Sequence, residues 1–318
     1  MKKRHLKTVI FIVIAYGVPW LSSLGIRNDN IATAFLSCMA VFPSLGVIIG
    51  ELVVDKKKVN AFHICFFLSG LLMLLCIGMH WNGFKAEVME QVVGNLFTVL
   101  SLVLLLYCSL YEKGKLYPLG GGKKLFLLLG GSMLFLIITL VVMERNESME
   151  YYSSLMMIIP SLCFYIMPYL GEEYAWRGTL QPAFQKKFGK RRGVLLLGVV
   201  WELWHACLWI PVFHFDKCGM SIVKAESIRM AVVIALGIML GWLYMKVQNV
   251  WLCAMVHGLY NYCQCGDGLK CSASTTSHIG WIVFGVLCFC LLLTKEFRVE
   301  KYTESIQIER MKAFEENS

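Results

Sequence analysis

The chain has 318 residues, of which 58% are hydrophobic and 16% charged. An ordinary soluble domain carries about 45–50% apolar and about 25% charged residues, so this composition excludes a water-soluble core, a disordered chain and a small disulfide scaffold. The net charge of +9 falls in short clusters between apolar runs, where the positive-inside rule accounts for it without a nucleic-acid partner.

A membrane helix needs about 20 largely apolar residues. By that ruler ten runs are predicted, at 8–25, 31–53, 61–79, 94–111, 125–143, 151–170, 193–212, 228–246, 249–264 and 278–295. The ninth is short, so the predicted fold is an all-α polytopic transmembrane bundle of eight to ten helices. The first run follows Met1-Lys2-Lys3-Arg4 and has no small-x-small cleavage site, which predicts an uncleaved anchor. Basic clusters at the amino end, Lys56–Lys58, Lys113–Lys124 and Lys186–Arg192 alternate with Arg27-Asn28-Asp29, Glu87 with Glu90, and Glu144–Glu150. Placing the first set inside predicts a multi-pass protein of the cell membrane with both termini cytosolic.

Three segments follow: 1–150, membrane helices without a recognisable motif; 151–295, a helical core holding the informative polar residues; and 296–318, a charged cytosolic tail. Ten of the 13 cysteines lie inside apolar runs, where a reduced thiol behaves as a small hydrophobe. Cys218, Cys265 and Cys271 fall outside them, and no zinc spacing is present. Gly120-Gly121-Gly122 reads as a flexible loop, and His5, His63, His80, His214 and His278 as interfacial.

Ionisable groups in apolar surroundings carry the function. Each costs about 2.5–3.5 kcal/mol at a helix centre, so a chain that keeps several must face them toward one another or toward water. In Gly171-Glu172-Glu173-Tyr174-Ala175-Trp176-Arg177, a helix puts Glu173 and Arg177 on one face as an i,i+4 pair. Glu172 points about 100° away and keeps its charge for another task. A buried carboxylate without a cation suits general acid or base work. In Trp201-Glu202-Leu203-Trp204-His205, an imidazole is predicted near the middle of a span and requires a partner. Glu202 and His205 form one E-x-x-H unit, whereas a di-iron bundle needs two such units and two further glutamates. His257 and Asn261 lie four apart, hence on one helix face. Each block alone suits a structural hydrogen bond between helices; three in neighbouring helices predict a shared polar centre.

Together these blocks resemble the CAAX protease and bacteriocin-processing (CPBP) family of intramembrane glutamic endopeptidases. The resemblance spans about residues 150–265 and rests on Glu172-Glu173-x-x-x-Arg177, Trp201-x-x-x-His205 and His257-x-x-x-Asn261. It implies that Glu172 and His205 activate a water, that His257 and Asn261 stabilise the oxyanion, and that Glu173 and Arg177 are an orienting pair. Two departures stand out: Trp201 occupies a position where the family commonly has Phe, and Glu202 adds an acid where relatives have apolar or small residues.

The resulting expectation is a membrane endopeptidase, with no metal or other cofactor, acting on a membrane-associated or hydrophobic peptide of prenylated or bacteriocin type. Two alternatives stay open. One is a zinc metallopeptidase with Glu172, His205 and His257 as ligands. The other is a non-catalytic scaffold, immunity protein or transporter.

Overall fold

The computed structural model describes residues 2–24, 32–142, 162, 164–208, 221–264 and 279–298. Arg27–Asp29, Glu144–Glu150, most of the run 151–170, Cys163, His214, Cys218, Cys265, Cys271, His278 and the tail from 299 lie outside the described residues. Within them the fold is helical throughout, an all-α polytopic bundle.

Helix α1 (Lys2–Ile12) passes through a π turn (Val13–Gly17) into α2 (Val18–Ser23). Pro19 lies just beyond that turn and has no N–H to donate to the carbonyl of Ala15. That carbonyl accepts the indole N–H of Trp204 at 2.7 Å, while Tyr16 donates its hydroxyl to the Val200 carbonyl at 2.7 Å. A proline-induced break thus anchors the first helix to the one that carries the His205 block.

α3 (Ala32–Met39) and α4 (Phe42–Val54) follow, then α5 (Ala61–Trp81), α6 (Ala86–Tyr111) and α7 (Lys123–Leu136). Next come α8 (Met167–Ala175), α9 (Gln181–Phe188), α10 (Lys190–Trp204), α11 (Ile222–Val247), α12 (Val250–Gln264), α13 (Ile279–Cys290) and α14 (Lys295–Arg298). Five described stretches are long and apolar enough to cross a membrane: Lys3–Ser23, Ala34–Val54, Ala61–Trp81, Ala86–Tyr111 and Ile222–Val247. The helices bearing the three polar blocks are shorter, at 9, 15 and 15 residues for α8, α10 and α12. They hold buried charges that hydrocarbon would not tolerate, and the longer helices around them supply the apolar shell.

Two glycines make this packing possible. A Cβ on Gly171 would come within 2.7 Å of the Ala40 carbonyl oxygen and of Val41 Cα, so α8 crosses the α3–α4 junction backbone to backbone. The Ser44 hydroxyl donates to the Gly171 carbonyl at that crossing. A Cβ on Gly258 would lie 2.9 Å from the side chains of Tyr169 and Leu162, so the bare backbone of α12 leaves room for the Tyr169 ring of α8. Small residues at such crossings are how membrane helices approach one another.

The basic segments meet at one end of the bundle. Lys7 pairs with Asp55 and Lys57 with Glu51. Lys115 donates to the Gly178 carbonyl at 2.7 Å, Lys124 to the Lys246 carbonyl at 2.7 Å, and Arg191 to the Leu292 carbonyl at 3.0 Å. Burial pushes the Lys115 ammonium down, and Glu51 works against that shift. Glu296 lies 2.5 Å from Lys246 and accepts from Trp242 Nε1 at 3.2 Å. Burial opposes its ionisation, but hydrogen bonds from Lys246 and the local backbone hold its carboxyl down at about 2.

The triple-glycine segment is pinned, not loose. Gly121 and Gly122 take positive φ of 105° and 53° and turn the chain into α7. Asn249, fully buried at the α11–α12 turn, donates to the carbonyls of Tyr117 and Gly120 at 2.9 Å each and accepts from Leu252 N at 3.0 Å. Asn249→Ala removes a helix cap and strands two carbonyls, so a loss of about 2–3 kcal/mol is expected. Thermal unfolding in detergent should show the drop, and Asn249→Asp should not repair it, because an acid keeps the cap but has no N–H for the carbonyls.

Candidate active site

The acidic block spans the end of α8 and the π turn Trp176–Leu180 that joins it to α9. Residues 172–178 are all buried, and Glu173 and Arg177 show no exposed surface. Arg177 Nε lies 3.1 Å from Glu173 Oε2, the predicted i,i+4 pair. The other carboxylate oxygen of Glu173 lies 3.1 Å from His257 Nδ1 on α12. One acid therefore holds a guanidinium and an imidazole from two different helices. The Nδ1 edge of His257 thus turns to Glu173, a contact that the spacing on α12 does not reveal. Asn261 follows one turn later on α12 and is partly exposed.

Glu172 is separated from that trio, as its rotation around the helix demands. Its Oε2 accepts the indole N–H of Trp201 at 2.7 Å, and the residue is 6% exposed. Trp201 joins the three blocks. Its ring meets His257 edge-on with centroids 5.3 Å apart, lies 6.0 Å from the His205 ring, and carries the Arg177 guanidinium over its face at 4.6 Å. A guanidinium over a desolvated indole is an attractive cation–π arrangement.

Helix α10 ends at Trp204, and His205 opens a 3₁₀ turn, His205–Leu208, in which the chain tightens away from α-helical geometry. Trp204 packs edge-on against the imidazole at 4.7 Å, and His205 Nδ1 lies 3.3 Å from Glu202 Oε2. Glu202 is fully buried, and its other oxygen accepts from Arg229 Nε on α11 at 2.7 Å. The sequence reading missed Arg229 because it stands at the margin of an apolar run, where a cation looks like a flank. The usable signal was an acid and a base, Glu202 and Arg229, each in apolar surroundings and each needing a partner.

Residues 154–263 match the family model described as Type II CAAX prenyl endopeptidase Rce1-like. The match makes this segment similar to that family, and all three polar blocks fall within it. No curated protein and no solved structure gives a match. In this Rce1-like segment the described residues bring together no group of three or more His, Cys, Asp or Glu side chains as a ligand set. The zinc arrangement of Glu172, His205 and His257 thus finds no geometric support, since two of those three direct a contact to a different acid: His205 to Glu202 and His257 to Glu173.

Proposed function

We propose that this protein is an intramembrane glutamic endopeptidase that hydrolyses a peptide bond of a membrane-associated peptide, prenylated or bacteriocin-like, with water activated by Glu172 and His205. The observation that carries the reading is Trp201. One indole hydrogen-bonds Glu172 and has the His205 and His257 rings and the Arg177 guanidinium packed around it, which supports a common site for these side chains.

Each role follows from its surroundings. Glu172 accepts one neutral N–H, which leaves a carboxylate with acceptor capacity for a water proton. As the water oxygen bonds to the scissile carbonyl carbon, its proton passes to Glu172 and the carbonyl oxygen becomes an oxyanion. His257 keeps its Nδ1 edge on Glu173 and, when a proton sits on Nε2, donates that N–H to the oxyanion, and Asn261 adds an amide N–H. His205, held at Nδ1 by Glu202, exchanges protons at Nε2 and helps deliver one to the departing amine as the C–N bond breaks. The basic end of the bundle, read as cytosolic, puts substrate entry on the inner leaflet side.

The test is cleavage by the purified full chain in liposomes, using a farnesylated peptide with a CAAX-type carboxyl end and its unprenylated twin, read by mass spectrometry. His205→Ala is expected to abolish cleavage while membrane insertion and monodispersity persist. Undiminished cleavage by His205→Ala, or activity removed by a chelator and restored by a divalent metal, overturns this mechanism.

A further inference from the structure

Arg229 is the eighth residue of the 26-residue helix α11, at the margin of its apolar stretch, and its side chain is only 15% exposed, so the guanidinium needs a partner. Its Nε donates to Glu202 Oε1 at 2.7 Å, and the opposite oxygen of the same carboxylate lies 3.3 Å from His205 Nδ1. Guanidinium, carboxylate and imidazole form a line from α11 through α10 to the candidate water-activating histidine. Glu226, one turn before Arg229 on α11 and half-buried, borders the same carboxylate.

We infer that Arg229 is a positioning residue that acts through Glu202, supplying the counter-charge that lets Glu202 orient His205 without forcing a proton onto it. This rests on the peptidase reading above and extends it to a residue on a fourth helix. A fully buried carboxylate must be paired or neutralised. With Arg229 present the guanidinium meets that demand, and the imidazole can stay neutral and accept a proton. Without it, Glu202 and the neighbouring Glu226 have His205 as the cation within reach. An imidazole already protonated at both Nδ1 and Nε2 cannot take up the proton that it must relay to the departing amine. Positively charged Arg229 thus keeps a base basic by satisfying the acid behind it.

The experiment uses the full chain in liposomes with the farnesylated peptide and separates kcat from KM. Arg229→Met is expected to lower kcat about 10- to 100-fold with KM little changed, the range found when a group behind a catalytic side chain is lost. Arg229→Lys, which keeps the charge, should retain most of kcat. In a Glu202→Gln background the amide still accepts from Nδ1 but needs no counter-charge, so adding Arg229→Met should cost little further. A purely structural arginine would instead give the same loss in both backgrounds. Full kcat in Arg229→Met, equal losses in the two backgrounds, or a lysine variant as impaired as the methionine one overturns the inference. If the intact chain cleaves and His205→Ala does not, such a result removes Arg229 alone. If the intact chain fails to cleave, the peptidase reading falls and this inference falls with it.

Discussion

Arg177→Ala is expected to cost about 3–5 kcal/mol, the usual penalty for leaving one partner of a buried ion pair uncompensated. Glu173 has no exposed surface, so it cannot recover hydration when the guanidinium 3.1 Å away is removed. Its remaining cation would be His257, which would then have to carry a proton to keep the site neutral. The loss also uncovers the face of Trp201 on which the guanidinium rests, and with it the packing of Glu172 and both histidines. Thermal unfolding in detergent, with the yield of monodisperse protein, measures the effect. The double change Glu173→Gln with Arg177→Met removes both charges and keeps the volume, so it should recover much of the stability. If Arg177→Ala unfolds at the wild-type temperature, the pair does not hold the α8–α12 contact together.

What was legible in the sequence was periodic or local. The Glu173–Arg177 pair is a spacing on one helix, and helical geometry alone brings those side chains together. The apolar runs mark helices for the same reason, and their errors are informative. The run starting at 94 begins eight residues late, because Glu87 and Glu90 interrupt apolarity without interrupting the helix that starts at Ala86. The eighth run begins at 228, yet its helix starts at Ile222 with Ser221 as its cap, and the omitted turn contains Glu226.

What was not legible depends on contacts between helices. Nothing in His257-x-x-x-Asn261 says that His257 turns to Glu173, 84 residues earlier, because that choice is made by how α8 and α12 cross at Gly258 and Tyr169. The apolar run continues past His205, so hydropathy alone does not show that the α-helix changes to a 3₁₀ turn at that residue. The partner of Glu202 was open for the same reason: it is Arg229 on α11, and pairings across helices leave no periodic trace.

Glu172→Gln is expected to lower kcat by about 10²–10⁴-fold, the range that a positioned general base contributes, with the fold intact. The substitution keeps size and shape, and its carbonyl oxygen still accepts the Trp201 N–H that Glu172 accepts at 2.7 Å. It removes only the capacity to take a proton from water, so the unfolding temperature should stay near that of the wild type. Trp201→Phe is the complementary change. It keeps an aromatic ring between His205, His257 and Arg177 but deletes the N–H, and a hydrogen bond to a charged acceptor contributes about 1.5 kcal/mol, roughly tenfold in rate. The phenylalanine variant should therefore still cleave, and the glutamine variant should not. Comparable activity in the two would mean that the proton leaves water by another route, with His205 as the sole base and Glu172 reduced to a hydrogen-bond acceptor for an indole.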